Sequence, residues 1–143
     1  MKNNTEYTYV WNEDGSSRHT IEDALSIGDD LTGLASPTVV TKTWGYELHY
    51  TNSPQYCCKL LHFDEGSTSM HFHVRKHETL VVTKGVLTLQ YVYNKETHTI
   101  KLQEGEGWIM ARGFPHKLIA LDGPVDVFEA STQDYPEDSI RIG

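Results

Sequence analysis

HFHVRKHETLVVTKG, residues 71–85, is the stretch that decides both the fold and the chemistry expected of this chain. Three histidines and one glutamate lie within its first eight positions, and its flanks have the composition of β-strands. Side chains two positions apart on a strand share a face and are separated by about 6.6 Å along the chain. His71 and His73 therefore point the same way, and two imidazoles so placed can bind one metal ion.

The acid and a later histidine extend this pattern. Glu78 opens the next predicted strand, on the same face as the candidate core residues Leu80 and Val82. An ionised carboxylate on a core-facing row is costly unless it has a partner, and a divalent cation would be one. His116 begins a further strand, HKLIAL, and is a fourth candidate ligand.

A His-x-His pair alone is weak evidence for a metal, because a single strand histidine is more often a surface or hydrogen-bonded residue. The acid, the later histidine and the glycines that bracket the segment together favour the metal. His77 lies in the turn next to Glu78, and on the alternating strand pattern its side chain points to the opposite face. We expect it to be exposed or, failing that, to lie at the rim of the site.

Short strand-like segments follow one another from residue 37 onward, separated by turn sequences such as TKG, YNKE and LDGP. Regular short strands of this kind indicate an antiparallel sandwich or barrel. The N-terminal region offers one helix, IEDALSI, with Thr20 as its N-cap and Asp23 as the third helical residue. We expect an N-terminal extension, residues 1–36, that packs on a single barrel domain, residues 37–143.

Composition and charge exclude several classes of function. The formal charge is −8, and Lys and Arg are scattered, with only Arg75 and Lys76 adjacent, which argues against a nucleic-acid surface. The sequence has no run approaching the roughly 20 apolar residues of a membrane-spanning helix. The opening residues, MKNNTEYTYVW, lack the features of a secretory signal, so we expect a cytoplasmic protein. The adjacent Cys57 and Cys58 are expected to be ordinary strand residues.

Two motifs resemble those of the cupin superfamily. The first is GSTSMHFHVRKHETLVVTKG, with one residue fewer than usual before the first histidine, and the second is GEGWIMARGFPHKLIA. Ala111 and Ala120 depart from the residues usual in the second motif. The resemblance implies an all-β fold, an antiparallel jelly-roll β-barrel, and one divalent metal ion, with Zn, Mn, Fe, Co and Ni not distinguishable. The ligands that it implies are His71, His73, Glu78 and His116.

A looser resemblance links the chain to sugar-active cupins related to type II phosphomannose isomerases. It involves the segments KTWGYELHY and FEASTQDYPEDSIRI, although the acid of the metal motif stands farther from the histidine pair than is common in that group. The residues concerned are Trp44, Gly45, Glu47, Lys59, Glu129, Asp138 and Arg141. The resemblance implies an aldose–ketose isomerase with a sugar or sugar phosphate as its small-molecule substrate.

The residues themselves partly support this chemistry. On the predicted strand, Lys59 shares a face with Leu61 and Phe63. A buried ammonium there would need a carboxylate, a metal-bound oxygen or a ligand as its partner. Alternatively, its strand is an edge strand and Lys59 reaches water. Glu129 alternates with core-like valines, so it also points inward on this pattern, and the two could be partners.

An isomerase needs a Lewis acid, supplied by the metal, and a base that moves a proton between adjacent carbons. The candidate base is Glu129 or Glu47, with Lys59 as an electrostatic helper. Lys76 and Arg112 lie in turns beside the metal motifs and are expected to be solvated surface groups; alternatively, either contacts a phosphate or carboxylate group.

Two other functions fit the same motifs, because fold and metal do not fix chemistry. One is an iron-dependent dioxygenase, which would need a redox-active metal and oxygen. The other is a binding protein that holds a metal and a small ligand without catalysis. Cupin barrels commonly dimerise through their sheets, so the resemblance also implies a possible homodimer.

Overall fold

The chain folds into short strands whose apolar side chains point inward and whose polar side chains point outward in alternation. A computed structural model describes residues 20–28 and 32–142. They fall into two units, one ending at Leu34 and the other beginning at Ala35. Within the described residues of the second unit the chain forms twelve strands: β1 (Thr38–Lys42), β2 (Gly45–Asn52), β3 (Cys57–Phe63), β4 (Gly66–Ser67), β5 (His71–Phe72), β6 (Glu78–Lys84), β7 (Leu87–Tyr93), β8 (Glu96–Leu102), β9 (Gly107–Met110), β10 (His116–Ala120), β11 (Val125–Ser131) and β12 (Ile140–Arg141).

The strands form two antiparallel sheets. The first has the order β1-β2-β3-β11-β6-β9, and the second has the order β12-β5-β10-β7-β8, with β4 also paired to β10. Strands distant in sequence are neighbours, such as β3 and β11, as expected of a jelly-roll β-barrel. The predicted all-β, antiparallel jelly-roll fold is confirmed.

The core lies between the two sheets. It is formed by apolar side chains such as Phe63, Leu80, Val82, Leu89 and Val127, all at most 1 % exposed. Strands β3 and β11 alternate strictly between buried and half-buried positions over most of their length. This alternation carries two charged residues, Lys59 and Glu129, onto the same inward face as the core.

The described residues of the first unit contain one helix, α1 (Ile21–Ile27). Asp23 N donates to Thr20 Oγ1 at 3.1 Å, and Thr20 N donates to Asp23 Oδ2 at 2.8 Å. The predicted helix and its reciprocal cap are therefore confirmed. Residues 1–19 of the predicted extension lie outside the described residues, and its packing on the barrel stays a prediction.

The described residues include no helix long and apolar enough to cross a bilayer. The expected cytoplasmic location and homodimer stay predictions.

Gly85, between β6 and β7, joins two strands through a backbone conformation that other residues rarely adopt. Its φ is 82°, and a Cβ there would stand 2.3 Å from the carbonyl oxygen of Pro124. Gly105 has nearly the same φ, 84°, but a Cβ there would meet no described atom within 4 Å. Substitution of the two glycines can therefore separate the free-energy cost of the left-handed backbone conformation from that of the steric contact with Pro124.

We expect Gly85→Ala to lower the melting temperature more than Gly105→Ala. Both variants incur the left-handed penalty of about 1–2 kcal/mol, but only Gly85→Ala must also displace backbone. Calorimetric melting of the two variants beside the unmodified protein measures the difference. Equal melting temperatures would show that the approach of Pro124 does not constrain the turn.

His62 lies on the outward face of β3 and contacts two carboxylates. Its Nδ1 is hydrogen bonded to Asp126 Oδ1, and its Nε2 lies 3.1 Å from Asp64 Oδ1. The hydrogen bond to Asp126 is the main cause of a raised His62 pKa, with burial opposing it and Asp64 adding to it. The charged imidazole therefore stabilises the fold below its ordinary pKa of 6.5, and this contribution is lost as pH rises through the raised value.

Asp126→Asn should consequently reduce the free energy of unfolding near pH 6, by about 1 kcal/mol, and much less near pH 9. Asp122→Asn is the control, because Asp122 pairs with Lys101 at 3.0 Å and not with a histidine. Urea unfolding at the two pH values measures both. The same loss at both pH values for Asp126→Asn would contradict this account of His62.

Candidate metal centre

Three histidines converge where β5 and β10 pair. His71 begins β5, His73 follows its end, and His116 begins β10 directly opposite His71. Their ligand nitrogens all lie within 4.8 Å of one another. The ring centroids of His71 and His116 are 4.4 Å apart, and those of His71 and His73 are 5.1 Å apart. The structure thus brings together three of the four predicted ligands in a geometry that could hold one ion.

Backbone carbonyls orient all three imidazoles through the same ring nitrogen. In each ring Nδ1 donates to a carbonyl oxygen: His71 to Ser69 at 2.8 Å, His73 to Asp138 at 3.0 Å and His116 to Phe114 at 2.9 Å. Such bonds fix the tautomer and leave Nε2 as the nitrogen that can bind a metal.

Burial keeps two of these rings neutral. It lowers the pKa of His71 to about 4, with help from His116. Burial also lowers the pKa of His73, and the charge of Lys76 adds to the effect. A neutral imidazole is the form that coordinates a metal, so these residues fit the ion that the sequence predicts.

Glu78 lies beside the histidine group. Its Oε1 is 3.4 Å from His116 Nε2, while its Oε2 is 3.1 Å from Lys76 Nζ. Burial alone would raise the pKa of Glu78, but the adjacent His116 and the charge of Lys76 outweigh burial and hold the pKa below its usual range. Among the described residues, the group within 4.8 Å consists of the three histidines, so the role of Glu78 as fourth ligand stays a prediction.

Lys76 corrects one expectation from the sequence. It was expected at the surface because it lies in a turn, but it is 5 % exposed. Its Nζ lies among three carboxylates: Glu78 Oε2 at 3.1 Å, Glu129 Oε2 at 3.2 Å and Asp134 Oδ1 at 3.5 Å. The turn folds inward over the end of the barrel and carries the side chain into the interior. Arg112 is exposed as expected, and its Nε donates to the Arg75 carbonyl.

Lys59 is buried as the inward reading of β3 predicts, and it is 5 % exposed. Its Nζ lies 2.7 Å from Asp134 Oδ2 and 3.9 Å from Glu47 Oε1. Asp134 thus contacts both buried lysines, although the sequence analysis did not select it. It lies in the loop after β11, where no strand periodicity marks it as inward-facing.

Glu129 is 4 % exposed and accepts a hydrogen bond from Lys76. Burial and the negative charge of Glu78 raise the pKa of Glu129 to about 7, against the opposing charges of Lys76 and Lys59. It is therefore a carboxyl group that can both take up and release a proton near neutral pH.

Asp138 organises the turn that carries Lys76. Its carboxylate accepts the backbone N–H groups of Val74, Arg75 and Lys76, at 2.9 to 3.2 Å. Its own carbonyl accepts from His73 Nδ1, as described above. A single buried residue near the C-terminus therefore holds both a histidine of the metal group and the lysine turn.

The three histidines line a cavity of about 960 Å³. The charged residues on its wall include Lys59, Lys76, Glu78, Glu129 and Asp134, and exposed Arg141 and the hydroxyl residues Thr41, Ser67 and Thr68 also contribute. Its size suits a small ligand, and its polar lining suits one with many hydrogen-bonding groups.

A comparison with protein families identifies this architecture. Residues 60–141 match the family model described as Cupin. The chain belongs to the cupin family. No curated protein matches it.

Solved structures show the same fold at low sequence identity. The capsular polysaccharide assembling protein CapF from Staphylococcus aureus matches with a TM-score of 0.66 and 15 % identity over 74 % of this cupin and 34 % of the CapF chain. A variant of oxalate decarboxylase from Bacillus subtilis matches with a TM-score of 0.66 and 16 % identity over 93 % of this chain and 42 % of that one. KdgF from Halomonas sp. matches with a TM-score of 0.54 and 17 % identity, over 64 % of this chain and 81 % of the KdgF chain. This cupin spans about a third of the CapF chain, and identities this low show the fold alone.

We expect His73→Ala and His116→Ala each to lower the bound-metal stoichiometry of this cupin. Each removes one of three ligands, and its loss weakens binding steeply. Metal analysis of the purified variants by mass spectrometry measures the stoichiometry, with circular dichroism to establish folding. His77→Ala is the control, because it removes a half-buried imidazole from the same motif but outside the histidine group. Unchanged metal content in both ligand variants would contradict the assignment.

Proposed function

We propose that this cupin is a metal-dependent aldose–ketose isomerase that acts on a sugar or a sugar phosphate. The observation that carries the proposal is the position of Glu129. Its carboxylate lies on the wall of the cavity that also contains the three histidines, and it contacts a buried lysine at 3.2 Å. A proton-transfer group, positive charges and a metal group in one polar cavity are the parts that this reaction requires.

The metal would be held by His71, His73 and His116, with Glu78 as the proposed fourth ligand. When bound, a divalent cation supplies a Lewis acid that polarises the substrate's carbonyl group and the neighbouring hydroxyl.

Glu129 would remove the proton from the carbon next to the carbonyl and return it to the former carbonyl carbon. A carboxyl group whose pKa is raised to about 7 suits both directions of this transfer. The negative charge that develops on the substrate oxygens needs nearby cations. Lys76 and Lys59 would supply them, because the carboxylates around both residues raise their pKa values against the effect of burial and keep the ammonium groups charged.

A carbohydrate is the substrate class that the cavity supports best. Its lining combines hydroxyl, carboxylate, ammonium and imidazole groups, which can hydrogen bond to several hydroxyls at once. Among the structural neighbours, CapF is named for capsular polysaccharide assembly, which is compatible with a carbohydrate ligand in this chain as well.

We expect Glu129→Gln to reduce isomerisation by about two to four orders of magnitude, because the amide cannot accept the carbon-bound proton. A panel of aldoses, ketoses and their phosphates is assayed with the metal-loaded protein under nitrogen and under air. Glu137→Gln is the control, because Glu137 is an exposed carboxylate whose Oε1 lies 3.6 Å from Arg75 Nη1 at the surface.

The atmosphere and the variants separate this proposal from its rivals. Conversion that proceeds under nitrogen and is lost in Glu129→Gln supports the isomerase. Conversion only in air would indicate the dioxygenase. A sugar that binds but does not turn over, with the same affinity in Glu129→Gln, would indicate a binding protein.

A further inference from the structure

We infer that His49, oriented by Glu47, is a second acid–base residue of this cavity and moves the hydroxyl proton while Glu129 moves the carbon-bound proton. The inference rests on the proposed isomerase function and assigns a role to a histidine outside the metal group. His49 belongs to neither cupin motif and was not selected from the sequence.

Strand register places His49 and Glu129 on opposite sides of Lys59. On the first sheet, His49 of β2 and Glu129 of β11 are both direct partners of Lys59 on the intervening strand β3. Directly opposed residues share a face, and neighbouring strands are about 4.8 Å apart, so the backbones at His49 and Glu129 are about 10 Å apart. All three residues line the cavity. A small ligand over Lys59 would therefore have a proton-transfer group on each side.

Glu47 holds the His49 ring. The two residues are two positions apart on β2, and His49 Nε2 lies 2.6 Å from Glu47 Oε1. The Glu47 carboxylate also lies near two ammonium groups, with Lys59 Nζ at 3.9 Å and Lys42 Nζ at 4.0 Å. An ionised carboxylate only accepts hydrogen bonds, so His49 Nε2 carries the proton and Nδ1 is the nitrogen that can accept one from a ligand.

His49 can reach a ligand and exchange protons with water. Its side chain is 26 % exposed, whereas that of Lys59 is 6 % exposed. The imidazole therefore lies at the wetter part of the cavity wall, and Glu129 lies in the interior. Histidine is the side chain most often used for general acid–base catalysis.

Isomerisation requires two separate proton movements. The bond from C2 to hydrogen breaks and a bond from C1 to hydrogen forms, while the hydrogen on O2 leaves and O1 gains one. Glu129 would carry the carbon-bound proton. His49 would take the proton from O2 on Nδ1 and then give it to O1, so that both groups end in their starting protonation states and nothing else is consumed.

Isotope exchange distinguishes the two roles. The metal-loaded protein is incubated in D₂O with the aldose or aldose phosphate of the panel that the unmodified protein converts fastest. Deuterium at C2 of the recovered substrate reports proton removal by Glu129, and product formation reports completion of both transfers.

In His49→Gln we expect conversion to fall at least about tenfold while deuterium exchange at C2 continues, so the ratio of exchange to conversion rises. In Glu129→Gln both should fall. His62→Gln is the matched control, because it removes a histidine from the outward face of the neighbouring strand β3 and should leave the ratio unchanged.

Glu47→Gln tests the positioning role. Glutamine can donate to the ring and so permits the opposite tautomer, and ¹⁵N NMR of His49 should show protonation moving from Nε2 toward Nδ1. A tautomer that is unaltered in Glu47→Gln would overturn the role of Glu47.

Conversion at the normal rate in His49→Gln, or parallel loss of exchange and conversion, would overturn the inference and leave the isomerase proposal intact. If the unmodified protein neither exchanges nor converts any panel sugar, the isomerase proposal itself fails.

Discussion

Pairing of buried charges is the constraint on which the rest of this site depends. Lys59 and Lys76 bring two ammonium groups into the end of the barrel, where an unpaired charge costs several kcal/mol. Four carboxylates lie within 4 Å of them: Glu47, Glu78, Glu129 and Asp134. These carboxylates outnumber the two buried ammonium groups, and a divalent cation at the histidines would add positive charge beside them. The raised pKa of Glu129 has the same origin, because burial and the charge of Glu78 both disfavour a further anion in this place.

The contacts that hold the loops around the cavity also orient one of the three histidines. Asp138 accepts the N–H groups of residues 74–76 through its carboxylate and the His73 ring through its carbonyl. Asn52 fixes the neighbouring segment by accepting from Asp134 N at 2.8 Å and donating to Asp134 O at 2.9 Å. The lysine turn, one histidine and the C-terminal segment therefore form one connected assembly, and displacement of any part disturbs the others.

The sequence is informative where strand periodicity applies and uninformative where it does not. Alternation along β3 and β11 indicates that Lys59 and Glu129 point inward, and the register of the two strands pairs them directly. The histidine spacing likewise identifies residues that converge. Lys76 and Asp134 lie in turns, where side-chain direction depends on how each loop folds over the barrel end. A lysine in a polar turn has the composition of a surface residue, so only the tertiary contacts reveal that it is buried.

The two sheets contribute different chemistry to the cavity. His71 and His116 belong to β5 and β10 of the second sheet, whereas the row of His49, Lys59 and Glu129 crosses β2, β3 and β11 of the first. A ligand in the cavity would therefore lie between the three histidines on one wall and the proposed proton-transfer groups on the other. The two cupin motifs include the histidines of the second sheet, but β2 and its His49 lie outside both motifs. Cupins that share the histidines can therefore differ in reaction according to the residues on the facing strands, because a fold and its metal ligands do not fix the chemistry.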